Sequence, residues 1–184
     1  MVDLKKIEEI KNLAQGSIIL IETSAENTLE IGLFGIKLLL DEGYQGIVIS
    51  ANRPYLNLIR LYNTNGIDTN KIFFIDCISE IPIQEQQESS NVMYLEHVSD
   101  LTNISLAITK ASQQVGGKRF VFIDSITTML IHNQSHSFAK FVHSILTKMR
   151  LESISALLVW ILDENNNEVR AEIAQLCDKV VKIE

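Results

Sequence analysis

Short apolar runs of strand length recur along this chain, separated by segments with helical periodicity. Residues 17–22, 46–50, 72–76, 120–124 and 156–162 are continuously apolar rather than alternating, which marks strands buried on both faces. Residues 179–183 read as a last strand. Between them, residues 27–42, 54–65, 101–115, 135–151 and 166–176 carry apolar positions at helical spacing. Gly43, Gly66 and Gly116-Gly117 stand where left-handed residues close helices, and Pro54 suits a first helical turn. Strand–helix alternation at this spacing predicts βαβ units, hence a three-layer α/β/α fold with a mostly parallel central sheet.

The 184 residues read as a single domain spanning 1–184, long enough to bury a core of its own. Within it, residues 1–15 are expected to form an N-terminal helix. Residues 80–91 (EIPIQEQQESSN) break the rhythm and predict a flexible polar loop. A net charge of -7, with no Lys/Arg cluster longer than Lys5-Lys6 or Lys118-Arg119, argues against a nucleic-acid-binding surface. The longest uncharged apolar run, 156–162, is too short to span a membrane, and the N-terminus lacks the apolar core of a signal peptide. A soluble, cytoplasmic protein is expected. Cys77 and Cys177 show no zinc-type spacing and read as buried free thiols of a reducing compartment.

In a parallel sheet, ligands bind beyond the carboxyl ends of the strands. The polar residues there are Glu22-Thr23-Ser24, Ser50-Ala51-Asn52, Asp76, Asp124-Ser125 and Asp163-Glu164. The most telling is Phe120-Val121-Phe122-Ile123-Asp124-Ser125, four apolar residues and then Asp-Ser. That is the Walker B pattern, whose carboxylate holds Mg²⁺ in phosphate-loop NTPases. The plainer alternative makes Asp124 a strand-end residue that caps a neighbouring turn.

Several segments together resemble the RecA-type ATPase fold in its archaeal KaiC-like branch. They are Gly16-Ser17 to Glu22 on the first strand, Ser50-Ala51-Asn52-Arg53-Pro54 after the second, FFIDCIS, the helix start Ser99 to Ile108, FVFIDSITTML and the closing CDKVVKIE. The resemblance implies a RecA-like P-loop NTPase fold, and ATP with Mg²⁺ as the family's ligands. It places the family's phosphate loop on about Thr23 to Thr28, its catalytic acid on Asn52 and its Mg²⁺-type carboxylate on Asp124. Yet no glycine lies between Gly16 and Gly32, and no lysine between Lys11 and Lys37. A phosphate loop needs glycines so that backbone N–H groups can close around phosphates, and a lysine to reach their outer oxygens. Nor can the Asn52 amide act as a base at neutral pH. The matching positions Thr23, Ser24, Asn27, Thr28, Asp124 and Ser125 are expected to form a vestigial nucleotide site, with no catalytic residue and no metal.

Thr23 to Glu26 also fits a capping box, in which the Thr23 hydroxyl accepts from the N–H of residue 26 and Glu26 reaches back to the N–H of residue 23. A carboxylate fixed about 4 Å from a phosphate costs on the order of 4 kcal/mol per charge pair near a surface. Glu22 and Glu30 are expected to add to that repulsion.

Other candidates point to structure. His136 and His143 share a helical face at i, i+7, but neither they nor His132 have a supporting Cys or carboxylate cluster for a metal. Trp160 belongs to an apolar strand. Gly32 and Gly35, in a helix rich in Leu and Ile, predict close helix packing. Ser24 and Ser125 lack the GxSxG context of a hydrolase nucleophile.

The expected function is therefore a non-catalytic, KaiC-like pseudo-ATPase without cofactor. It would work as a regulatory or scaffolding protein-interaction domain, for instance in signal transduction, with a protein partner or as a homo-oligomer. The alternative is an atypical nucleotide-binding protein that holds ATP and Mg through Ser24, Asn27, Thr28 and Asp124 with weak or no hydrolysis. A third class, an RNA-binding ring subunit, is disfavoured by the acidic charge.

Overall fold

The apolar runs become strands because each is covered on both faces by helices that present apolar stripes. The fold is given by a computed structural model, which describes residues 5–8, 11, 14–79, 91–163 and 165–183. In chain order the elements are α1 (Lys5–Glu8), β1 (Ile18–Thr23), α2 (Thr28–Asp41), β2 (Gln45–Ser50), α3 (Tyr55–Thr64), β3 (Ile72–Asp76), β4 (Val92–Tyr94), α4 (Leu101–Gln114), β5 (Arg119–Asp124), α5 (Ile126–Ile131), α6 (Ser135–Leu151), β6 (Ser155–Ile161), α7 (Asn167–Gln175) and β7 (Lys179–Lys182). Short 3₁₀ turns at Ala25–Asn27 and Thr69–Lys71 precede α2 and β3.

The strands form one seven-stranded sheet in the order β4-β3-β2-β5-β6-β1-β7. Every pairing is parallel, so all carboxyl ends open on the same edge. Alternate residues of each strand feed two cores. On one face, Leu20, Ile49, Ile75, Ile123 and Leu158 meet apolar residues of α4, α5, α6 and α7. On the other, Ile21, Val48, Phe74, Phe122 and Val159 meet α1, α2 and α3. This is the three-layer α/β/α architecture.

Helix α2 lies tight on the sheet, as its glycines predict. A Cβ on Gly32 would stand 2.9 Å from the Phe122 ring, and one on Gly35 2.8 Å from a Leu157 methyl. Gly43 and Gly66 close α2 and α3 in the left-handed region, at φ 84° and 69°. Helix α4 instead ends on an extended Val115, and the left-handed residue, Gly117 at φ 67°, lies two positions beyond that cap.

Two elements were not expected. Strand β4 adds three half-buried residues to the sheet edge, and α5 makes a six-residue helix straight after β5. Residues 80–90 of the expected polar loop, and most of the expected helix 1–15, lie outside the described residues. Asn91 is described, and its carbonyl accepts from the Phe74 N–H at 2.8 Å. No helix among the described residues is long and apolar enough to cross a membrane.

Candidate functional site

Three strand ends on the α2/α3 face of the sheet converge on one polar cluster. Asp124 closes β5, Ser50 closes β2 and Asp76 closes β3, in register across neighbouring strands. Asp76 is fully committed. One carboxylate oxygen accepts from the Ile78 and Ser79 N–H groups at 2.8 and 2.9 Å, and the other from the Tyr55 N–H and the Ser79 hydroxyl at 2.7 and 2.6 Å.

Asp124 is held differently. Its Oδ2 receives Arg53 Nη1 at 3.0 Å and its Oδ1 receives Asn52 Nδ2 at 3.3 Å. Asn52 Oδ1 in turn accepts from the Thr128 hydroxyl at 2.8 Å, and that hydroxyl lies 2.9 Å from Ser125 Oγ. Ser125 is also the N-cap of α5, its Oγ accepting the Thr128 N–H at 3.1 Å. The Asp124–Ser125 peptide is cis. Arg53 is positioned by Ser50, whose hydroxyl donates to the Arg53 carbonyl at 2.6 Å and accepts the Arg53 N–H at 3.2 Å. Burial pushes the Asp124 carboxyl above its usual range, against the opposing pull of Arg53 and Asn52. Nearby, burial and then the Asp124 charge push the Tyr62 phenol up, so it stays protonated.

The stretch from Thr23 to Thr28 forms a separate region. Strand β6 lies between β1 and β5, and Ile123, Leu158 and Leu20 are level across the three strands. Two strand spacings put β1 about 10 Å from β5. Among the described residues, no hydrogen bond or ion pair joins this stretch to the Asp124 cluster. The capping box does not form. Thr23 is still strand, paired with Ile161, so its side chain is enclosed by the sheet and its buried Oγ1 has no hydrogen-bond partner. Glu26 is exposed instead of reaching back. The turn closes on itself through Asn27 N–H to the Ser24 carbonyl at 3.1 Å, and Thr28 Oγ1 donates to the Ala25 carbonyl at 3.0 Å. Ser24 is exposed and Asn27 half-buried; neither caps its helix through its side chain.

Glu22 does not contribute to repulsion at that turn. It points to the opposite face of the sheet, where Arg170 Nε and Nη2 donate to its two oxygens at 2.6 and 2.7 Å. The pair is bidentate, and Glu22 is only 2% exposed.

His136 and His143 line a cavity of about 540 Å³ between α6 and α7, together with Lys140, Glu172 and Leu176. No group of three His, Cys, Asp or Glu among the described residues is placed to hold a metal ion.

Sequence reasoning reached Asp124, Ser125 and Asn52 but passed over Arg53 and Thr128. The Ser-x-x-Thr spacing of residues 125–128 was an available signal for the α5 cap. Nothing local marks Arg53 as a partner of Asp124, because 71 residues separate them.

The family model described as "ATPase: KaiC" matches residues 13–184. Among solved structures, an uncharacterized protein of Pyrococcus horikoshii, PH0321, in complex with an unknown peptide, superposes with a TM-score of 0.72 at 14% identity. The match covers 97% of this chain and 81% of that one. The KaiC-like protein PH0186 of the same organism superposes with a TM-score of 0.64 at 12% identity, covering 91% of this chain and 71% of the other. At these identities the two structures share the fold. No curated protein matches.

Proposed function

The chain belongs to the KaiC ATPase family, and from that premise we propose that it is a non-catalytic member that works by binding other proteins. The family implies ATP and Mg²⁺, and the residues present do not fit that pair. At the β1–α2 turn there is neither the glycine run that lets backbone N–H groups wrap phosphates nor a lysine to reach them. The turn satisfies part of its own backbone, and the buried Thr23 hydroxyl is closed off from solvent. At β5, the carboxylate that would face a metal already faces a guanidinium. The position of the water-activating acid is Asn52, an amide locked between Asp124 and Thr128.

The observation that carries the reading is the Arg53–Asp124 contact of 3.0 Å. A metal-binding carboxylate occupied by the protein's own cation supports loss of nucleotide chemistry more directly than missing motif residues do. The role proposed for it is regulatory or scaffolding, as a homo-oligomer or with a partner. The unknown peptide carried by PH0321 is in keeping with a fold that binds polypeptide.

Calorimetric titration of the purified protein with ATP and ADP in the presence of Mg²⁺ tests this. No heat of binding up to millimolar nucleotide is expected. A Kd in the micromolar range that is lost in Asp124→Ala overturns the reading in favour of an atypical nucleotide-binding protein.

A further inference from the structure

Helix α6 carries no acidic residue in its 17 positions, although acids outnumber Lys and Arg by 23 to 16 across the chain. Its basic side chains are not scattered. His136, Lys140 and His143 stand at i, i+4 and i+7, on one helical face, and span about 10 Å of it. All three are exposed, and all three line the cavity of about 540 Å³ between α6 and α7. The deeper lining is apolar: Ile173 is buried, and Ala139 and Leu176 are half-buried. Among the described residues, none of the three basic side chains forms an ion pair, and neither does Glu172 on the α7 wall. The groove is held open by its surroundings. Phe138, Val142 and Ile145 root α6 in the core. Helix α7 is tied near its start by Arg170 to Glu22, and at its end by Arg150, whose Nη2 donates to the Leu176 carbonyl at 2.6 Å. Between these ties, the small side chain of Ala139 leaves room that a longer one would fill.

We propose that this groove binds a small organic anion, its apolar body lying on Ala139, Ile173 and Leu176 and its carboxylate or similar group facing the α6 bases. A volume of about 540 Å³ falls inside the range of roughly 300–1,000 Å³ found for small-molecule sites, which combine an apolar lining with a few convergent polar groups. Charge sets the sign and the orientation of the ligand. Lys140 supplies a positive charge, and His136 and His143 place imidazole N–H donors on either side of it. The first turn of α6 adds the positive pole of the helix dipole at the His136 end. Glu172 repels an anion from the α7 wall, so the charged group turns toward α6. The groove belongs to the α4–α7 side of the sheet, away from α2, α3 and the Asp124 cluster, so the proposal does not depend on the non-catalytic reading.

The test is a titration of the ¹⁵N-labelled full chain with 2-naphthoate, read from amide shifts, beside its neutral analogue 2-naphthalenemethanol. Naphthoate is expected to bind with a submillimolar Kd and to move the amides of residues 136–143 and 172–176. The neutral alcohol should bind at least about fivefold more weakly, and so should naphthoate to Lys140→Gln, which lacks the positive charge. Glu172→Gln should tighten naphthoate by about twofold, since the opposing charge is gone. Ala139→Leu, which fills the floor, should abolish binding of both probes. All three positions are exposed or half-buried, and unchanged amide shifts elsewhere show that each variant is folded. An absence of shifts in the two segments at millimolar naphthoate overturns the proposal. So does equal binding of the alcohol, or naphthoate binding left unchanged by Lys140→Gln or Ala139→Leu. ATP held in this groove would survive Asp124→Ala, which separates it from nucleotide held at the carboxyl end of β5.

Discussion

Arg170 clamps Glu22 with two parallel hydrogen bonds, Nε to Oε1 at 2.6 Å and Nη2 to Oε2 at 2.7 Å, and so fastens α7 to the carboxyl end of β1. The two residues are 148 positions apart, and Glu22 is 2% exposed while the Arg170 side chain is 35% exposed. Removing the arginine leaves a buried carboxylate without a counter-charge. Arg170→Ala should destabilise the protein by about 3 kcal/mol, the low end for a broken buried pair because Arg170 is partly solvated. Glu22→Gln/Arg170→Met, which removes both charges, should recover most of that loss. Urea midpoints of the three proteins check it.

Asp178 sets a pH dependence of stability. Burial pushes its carboxyl up, but the Ile18 N–H at 2.7 Å and the Arg150 guanidinium at 3.0 and 3.1 Å outweigh it and hold the group below its ordinary 3.8. A carboxyl lowered in the folded state binds its proton less readily there than in the unfolded chain. Its stabilising contribution is thus complete above the ordinary value and disappears as pH falls through the lowered one. Wild type should lose stability relative to Asp178→Asn as pH drops from 5 to below 3.8, read from denaturant midpoints across that range.

Close packing of backbone on aromatic rings should make Gly46 far less tolerant than Gly35. A Cβ at Gly46 meets three atoms of the Phe120 ring at 2.6 to 3.2 Å in the middle of the sheet. Gly46→Ala should cost about 1–3 kcal/mol by overpacking. At Gly35 the only close atom is the end of a Leu157 side chain, which can rotate away, and alanine gains up to about 1 kcal/mol in helix propensity. Gly35→Ala should stay near neutral when both variants are compared with wild type by thermal melting.

Both thiols should be unreactive in the folded protein. Burial, then the Asp76 charge, pushes Cys77 up to about 12; burial, partly offset by Arg150, pushes Cys177 up to about 12. Native protein at mildly alkaline pH should label with a disulfide reagent far more slowly than protein in urea. Fast labelling of either residue would contradict the structure at that position.

The strands were legible because a parallel strand covered on both faces must be continuously apolar; residues 72–76 and 135–151 match the observed β3 and α6 end to end. Short elements left no such imprint. Strand β4 has three half-buried residues beside a polar stretch, and α5 has a single turn and a half between two larger elements. At the site, Asp124 and Asn52 were readable from their place at strand ends, whereas Arg53 was not, since its role exists only once β2 and β5 lie side by side. The capping box shows the opposite failure. Its local pattern was present, but β1 runs one residue further than the pattern assumed, and the sheet took Thr23.

Strand β1 has no partner near it in sequence: Ile18 lies beside Ala156 of β6 and Ile19 beside Lys179 of β7, both made long after it. While the chain is being made, this apolar strand emerges with both edges bare and stays so until β6 and β7 have been made. Pairings between such distant segments are slow to form and vulnerable to aggregation while they wait. Completion of the sheet around β1 thereby waits until β7 has been made, and losing β7 alone would leave one edge of β1 open for the life of the molecule.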